Sequence, residues 1–190
     1  MDVLGIFSAF GLSASAGLNA YIPLLTVALL GKFTNLIHLE EPWSALTSWW
    51  VIGLLLVLSL IEFFADKVPA VNHVNDIIQT FVRPTAGAIV FAASARAITD
   101  VHPVLAMSLG LLVAGSVHGV KTLFVRPAVT ATTAGVGNTP VSMAEDAVST
   151  VVSILSLVVP VLIACLMVLV TAWIIWLLLR RHTRASRSHS

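Results

Sequence analysis

The chain has 190 residues, of which 58% are hydrophobic and only 10% charged, with a mean hydropathy of +1.00. Soluble domains carry about 25% charged residues, so a water-exposed globular fold is excluded and an all-α integral membrane protein is expected. The net charge of +1 gives no basic field for a nucleic-acid partner, and the single cysteine, Cys165, excludes an intrachain disulfide.

A hydrocarbon core of about 30 Å needs roughly 20 helical residues, and the first apolar run, 3–30, is long enough. It is interrupted by Gly11, Gly17 and Pro23. Ala14-Ser15-Ala16 imitates a signal-peptidase site, but Asp2 stands where a signal peptide carries Lys or Arg, and the apolar run continues to Leu30. An uncleaved membrane helix is expected. Gly11, Ala14, Gly17 and Ala20 suit close helix–helix contact. Asn19 is the candidate site residue here, because a buried amide needs a partner and the free carbonyls near Pro23 are at hand.

The second run, 48–65, starts at Trp49-Trp50 and ends in "IEFFADKVP". Glu62 and Asp66 are four apart and share a helix face. A helix end with both acids solvated and Lys67 snorkelling accounts for Asp66 and Lys67. It fits Glu62 less well, since "LLLVLSLIEFF" surrounds it with apolar residues. The stretch 66–84 continues with "VNHVNDIIQTFVRP", whose Asn72, Asn75, Asp76 and Gln79 recur at helical spacing. It reads as a re-entrant or interfacial segment that ends at Arg83-Pro84. His73 and Asp76 are too few for a zinc site, and no cofactor is expected.

A short third run, 85–99, contains Arg96, and a fourth covers 104–125. The hydroxyl-rich stretch 127–146 is the second re-entrant or interfacial candidate. Within it Ser142-x-x-Glu145 has the form of a capping box, with Asp146 adding charge at a helix start. The alternative role for Glu145 and Asp146 is that of cation ligands or proton carriers at a half-helix boundary. The last run, 147–179, carries Pro160 and is either tilted or bent there. Trp173 and Trp176 precede the basic tail 180–190, which is expected to be disordered and cytoplasmic. One transmembrane domain, 1–179, of about five helices follows.

With the tail inside, five crossings place Lys67, Arg83, Lys121 and Arg126 toward the outer side, against the usual bias. Either the topology differs from this one, or the four are buried inside the protein as charge partners of the acids. Residues 15–35 can also be laid beside 117–138, matching Gly17 with Gly119. On five spans such a repeat is inverted, an arrangement found in transporters.

"GLSASAGLNAYIPLL", "IEFFADKVPAVNHVND" with "RPTAG", and "AGVGNTP" together resemble the bacterial membrane family catalogued as domain of unknown function 4126. The resemblance implies a small multi-span protein of the inner membrane and brings no activity. No local signature of an enzyme occurs. The residues therefore point to a transporter or channel-like protein for a small solute or cation, with a path through Asn19, Glu62, Asp66, Asp76, Glu145 and Asp146. The alternatives are a non-transporting membrane scaffold or assembly factor and a transporter of anionic lipid. Its expected partners are the lipid bilayer and, from the small size and Gly/Ala-rich first helix, further copies of itself.

Overall fold

The computed structural model describes residues 2–35, 37–65, 69–96, 101–159, 166–171, 173 and 176, and every regular element among them is helical. Cys165, Pro160, Asp66, Lys67 and the basic tail lie outside the described residues. In chain order the helices are α1 (Asp2–Leu18), α2 (Tyr21–Phe33), a 3-10 turn (Trp43–Thr47), α3 (Trp49–Ala65), α4 (Pro69–Arg96) and α5 (Pro103–Val120). A π-helical turn (Lys121–Val125) leads without interruption into α6 (Arg126–Thr133), and α7 (Asn138–Val158) follows.

Burial on α7 runs opposite to that of a water-soluble helix. Its fully buried side chains are Ser142, Ser149, Ser153 and Ser156, while Met143, Val148, Val151, Ile154, Leu155 and Val158 are exposed. Water would drive those apolar residues inward, so the exposed face is built for lipid. α3 repeats the pattern, exposing Leu54, Val57, Leu60, Ile61 and Phe64 and burying Glu62. Three described helical stretches, Ile77–Ala95, Pro103–Thr133 and Asn138–Val158, are long and apolar enough to cross a membrane; 5–18, 21–33 and 49–65 are shorter. The chain is a helical membrane protein.

Small residues set the core. A Cβ placed on Gly87 of α4 would touch the Ala114 side chain and come within 2.9 Å of the Gly110 carbonyl and of Ser13 Oγ. One on Gly17 of α1 would lie 2.6 Å from the Ala114 carbonyl. Helices α1, α4 and α5 therefore meet backbone to backbone, and Ser13 Oγ donates to the Gly110 carbonyl across that contact at 2.7 Å. On the other side of α1, Ser15 Oγ is 2.7 Å from the hydroxyls of both Ser149 and Ser153, which zips α1 to α7.

These contacts overturn several expectations. The first apolar run is two helices, broken at Asn19-Ala20 and not at Pro23; Pro23 sits in the first turn of α2, where no intrahelical bond needs its N–H. Residues 69–83 do not form a separate segment ending at Arg83-Pro84 but are the first half of one 28-residue helix running through Pro84, of which Ile77–Ala95 is the membrane-length part. Its ring packs toward Gly115, where there is no side chain to oppose it. Nor is 127–146 one separate segment: its first part completes the helix begun at Pro103. The chain then turns at Ala134 and Gly135, both at positive φ, and starts α7. Because α7 begins at Asn138, Ser142 lies inside the helix and no capping box forms there. In the last apolar run, by contrast, α7 ends at Val158, ahead of a residue that proline keeps out of the helical region, in agreement with the alternative of an interruption at Pro160.

The inverted repeat is also corrected. Ser13 meets Gly110, Gly17 meets Val117, and Lys121 reaches Leu18. Numbers rise together, so α1 and α5 run parallel. By the same test α4 is antiparallel to α5, since Gly110 faces Gly87 while His118 faces Thr80. α7 is antiparallel to α1.

Candidate functional site

The break between α1 and α2 leaves backbone groups in the protein interior, and charged side chains of α3 and the π turn reach them while α7 supplies a carboxylate to Asn19. Asn19 starts α2: its Oδ1 accepts from the Tyr21 and Ile22 N–H groups, each at 3.1 Å. Its Nδ2 donates to Asp146 Oδ1 of α7 at 3.0 Å. The Ala20 N–H, at the positive end of α2, donates to Glu62 Oε2 at 3.2 Å. The Leu18 carbonyl, at the negative end of α1, accepts from Lys121 Nζ at 3.4 Å. Each helix end thus faces a charge of the sign that its dipole favours.

Glu62 and Arg83 are fully buried, and Arg83 Nη2 and Nε both donate to Glu62 Oε1, at 2.9 and 3.2 Å. Arg83 Nη1 lies 3.3 Å from His118 Nδ1. A guanidinium only donates, so Nδ1 is the acceptor. The imidazole proton is then on Nε2, 3.3 Å from Thr80 Oγ1, which accepts it. Arg83 is held from both sides.

The π turn explains how two cations on one helix reach the same carboxylate. In an α-helix, residues five apart diverge by about 140° at 3.6 residues per turn. Here the Arg126 N–H bonds to the Lys121 carbonyl, five residues back, so one turn closes over five residues. Lys121 and Arg126 are brought to one face, both buried. Lys121 Nζ lies 2.7 Å and Arg126 Nη2 3.6 Å from Glu145 Oε2. Such turns recur at functional positions in helices.

Of the residues singled out in the sequence, Asn19, Glu62, Arg83, Lys121, Arg126, Glu145 and Asp146 form this one cluster. Asp76 lies on α4, its side chain outside the described residues. His118 and Thr80 belong to the cluster and were missed. The available signal was the i, i+3 spacing of His118 and Lys121, which puts both on one face of an otherwise apolar helix. Arg83-Pro84, read as a helix end, instead holds the centre of the site. No group of three or more His, Cys, Asp or Glu suited to a metal ion occurs among the described residues.

A family model covers residues 6–180. The chain belongs to the family described as "Domain of unknown function (DUF4126)". Neither a curated protein nor a solved structure shows significant similarity to it. For this DUF4126 chain the residues themselves must carry the functional argument.

Proposed function

We propose that this protein is a small transporter or channel-like protein for a small solute or cation, and that the cluster at the α1–α2 break is where the cargo meets the protein. One observation carries the reading. Three acids (Glu62, Glu145, Asp146) and three bases (Arg83, Lys121, Arg126) lie together in a protein whose exterior is made for lipid. A charge at membrane depth costs about 2.5–3.5 kcal/mol on insertion scales, and such residues mark solute pathways. Apolar packing would hold the same helices at less cost, since replacing a buried ion pair by fitted apolar groups is often neutral or stabilising. A broken helix with its two ends aimed at the site is the usual way to satisfy a solute without strain on the rest of the bundle.

The balance of three acids against three bases favours a rival, a membrane scaffold in which the pairs only fix helix positions. The lipid-transport alternative has less support, because Lys121 and Arg126 turn inward to Glu145 and away from the lipid surface. The two leading readings separate in proteoliposomes. Potential-driven proton and alkali-cation flux is measured with pH- and potential-sensitive dyes, for the wild type and for the double variant Glu62→Gln/Arg83→Gln. Removing both partners leaves no lone buried charge, so the double variant is expected to fold. Under the transport reading it folds and loses flux. Wild-type vesicles that pass no ion above the protein-free level, or a double variant with full flux, would refute it for these ions.

A further inference from the structure

On α4 the buried side chains change character at Arg83. Before it, among the described side chains, they are polar: Asn75 and Gln79 are 9% and 2% exposed, and with Arg83 they fall at i, i+4 and i+8 on one face. After it the buried positions are Ala86, Gly87, Ala88, Val90, Phe91, Ala92, Ala93 and Ala95, with Ser94 the one polar side chain, near the helix end. At about 1.5 Å per residue, Gln79 stands about 6 Å and Asn75 about 12 Å from Arg83 along the axis.

Gln79 Oε1 is buried and has no hydrogen-bond partner among the described residues; Ser94 Oγ, which lies beyond the Gly87 contact and away from the cluster, is in the same state. An acceptor left so forfeits its hydration without recompense, and buried polar groups of this kind are those that ordered water serves. The surroundings differ on the two sides of the cluster. Because α4 and α5 are antiparallel, Asn75 and Gln79 lie on the side toward which the π turn, α6 and the α6–α7 turn extend. There Thr130, Thr132 and Thr133 are exposed. On the opposite side Gly87 and Gly110 are in backbone contact with no room for a Cβ, and the Ala114 methyl packs against Gly87.

We infer that water enters the cluster from the Pro69 end of α4 only, that Gln79 is its last stop before Arg83, and that the Gly87–Gly110–Ala114 contact shuts the other side. The subsite at Gln79 Oε1 takes a hydrogen-bond donor, and water is the one the lane delivers. For its consequence in transport this rests on the proposed function: the structure is then the state open to one face, and cargo enters beside Asn75. The hydration itself does not depend on transport.

The test uses full-length protein in oriented membrane vesicles. Cys165 is replaced by Ala, and single cysteines are introduced as Asn75→Cys, Gln79→Cys, Ala86→Cys and Ala92→Cys. A permanently charged, membrane-impermeant thiosulfonate is applied to either face. Asn75→Cys and Gln79→Cys are expected to react from one face only, the same for both, at rates at least ten-fold above Ala86→Cys and Ala92→Cys. No reaction at 75 and 79, equal reaction at all four sites, or reaction from both faces overturns the lane. Gln79→Leu guards against a misfolded cysteine variant: if water serves Oε1, Asn75→Cys still reacts when combined with Gln79→Leu, while flux falls. If Asn75→Cys becomes silent in that combination, the route does not pass as drawn. Labelling as expected in vesicles that show no flux leaves the lane standing and removes the transport reading.

Discussion

Asn19 holds three groups with one side chain: two N–H groups of α2 through its oxygen and Asp146 through its nitrogen. Asn19→Ala removes the cap and is expected to cost about 1–2 kcal/mol. Asn19→Asp keeps the oxygen for α2 but sets a second carboxylate against Asp146. We expect it to lower the midpoint of thermal unfolding in detergent at least as far as Asn19→Ala; a variant as stable as wild type would show that Asp146 is not held by this amide. Glu62→Gln alone leaves Arg83 buried without its anion, a loss of about 3–5 kcal/mol. Most of that loss should be recovered in Glu62→Gln/Arg83→Gln, as read from the coupling energy of the double-mutant cycle. Independent effects of the two substitutions would mean that the buried pair is not a unit. Glu62 was legible as a buried acid from its apolar neighbours and Arg83 as one of four charge partners, whereas which acid Arg83 meets was not. Twenty-one residues separate Glu62 from Arg83, and nothing in either segment announces the other.

At the scale of single elements, propensity and periodicity located the apolar runs but misplaced their ends. Proline was the main cause. Pro84 reads as a stop, yet α4 continues through it against the open face of Gly115, and Pro127 follows a π turn that has already altered the helical register. The capping-box pattern at Ser142 failed because α7 starts a turn earlier, at a tight bend where Thr133 Oγ1 accepts from the Gly137 N–H at 2.9 Å. Two glycines give a test of how the helices pack. Gly87→Ala forces a Cβ into Ala114 and should destabilise by about 1–3 kcal/mol. Gly53→Ala on α3 meets nothing within 4 Å and should be neutral, or stabilise by up to about 1 kcal/mol. Equal effects at the two positions, measured by unfolding in mixed micelles, would contradict the backbone contact described between α4 and α5.

At the scale of the whole molecule, buried polar and ionisable groups share the interior with mostly small apolar ones while many large apolar side chains are exposed, and this arrangement predicts how the chain meets a membrane. Val151→Lys, on the lipid face of α7, should impair insertion by about 2.5–3.5 kcal/mol and raise the fraction extracted at alkaline pH. Extraction unchanged from wild type would place that face elsewhere than in lipid. The sequence by itself determined that this is a helical membrane protein with ionisable groups set in or beside its apolar runs, because hydropathy is a sum over residues and needs no partners. It also determined which acids and bases were out of place in their apolar runs. Only the tertiary structure decided that they form one balanced cluster, that α1 and α5 are parallel, and that the chain breaks at Asn19. Those facts depend on which helices lie side by side, and pairing between segments far apart in the chain is set by the fit of small side chains, to which hydropathy is blind.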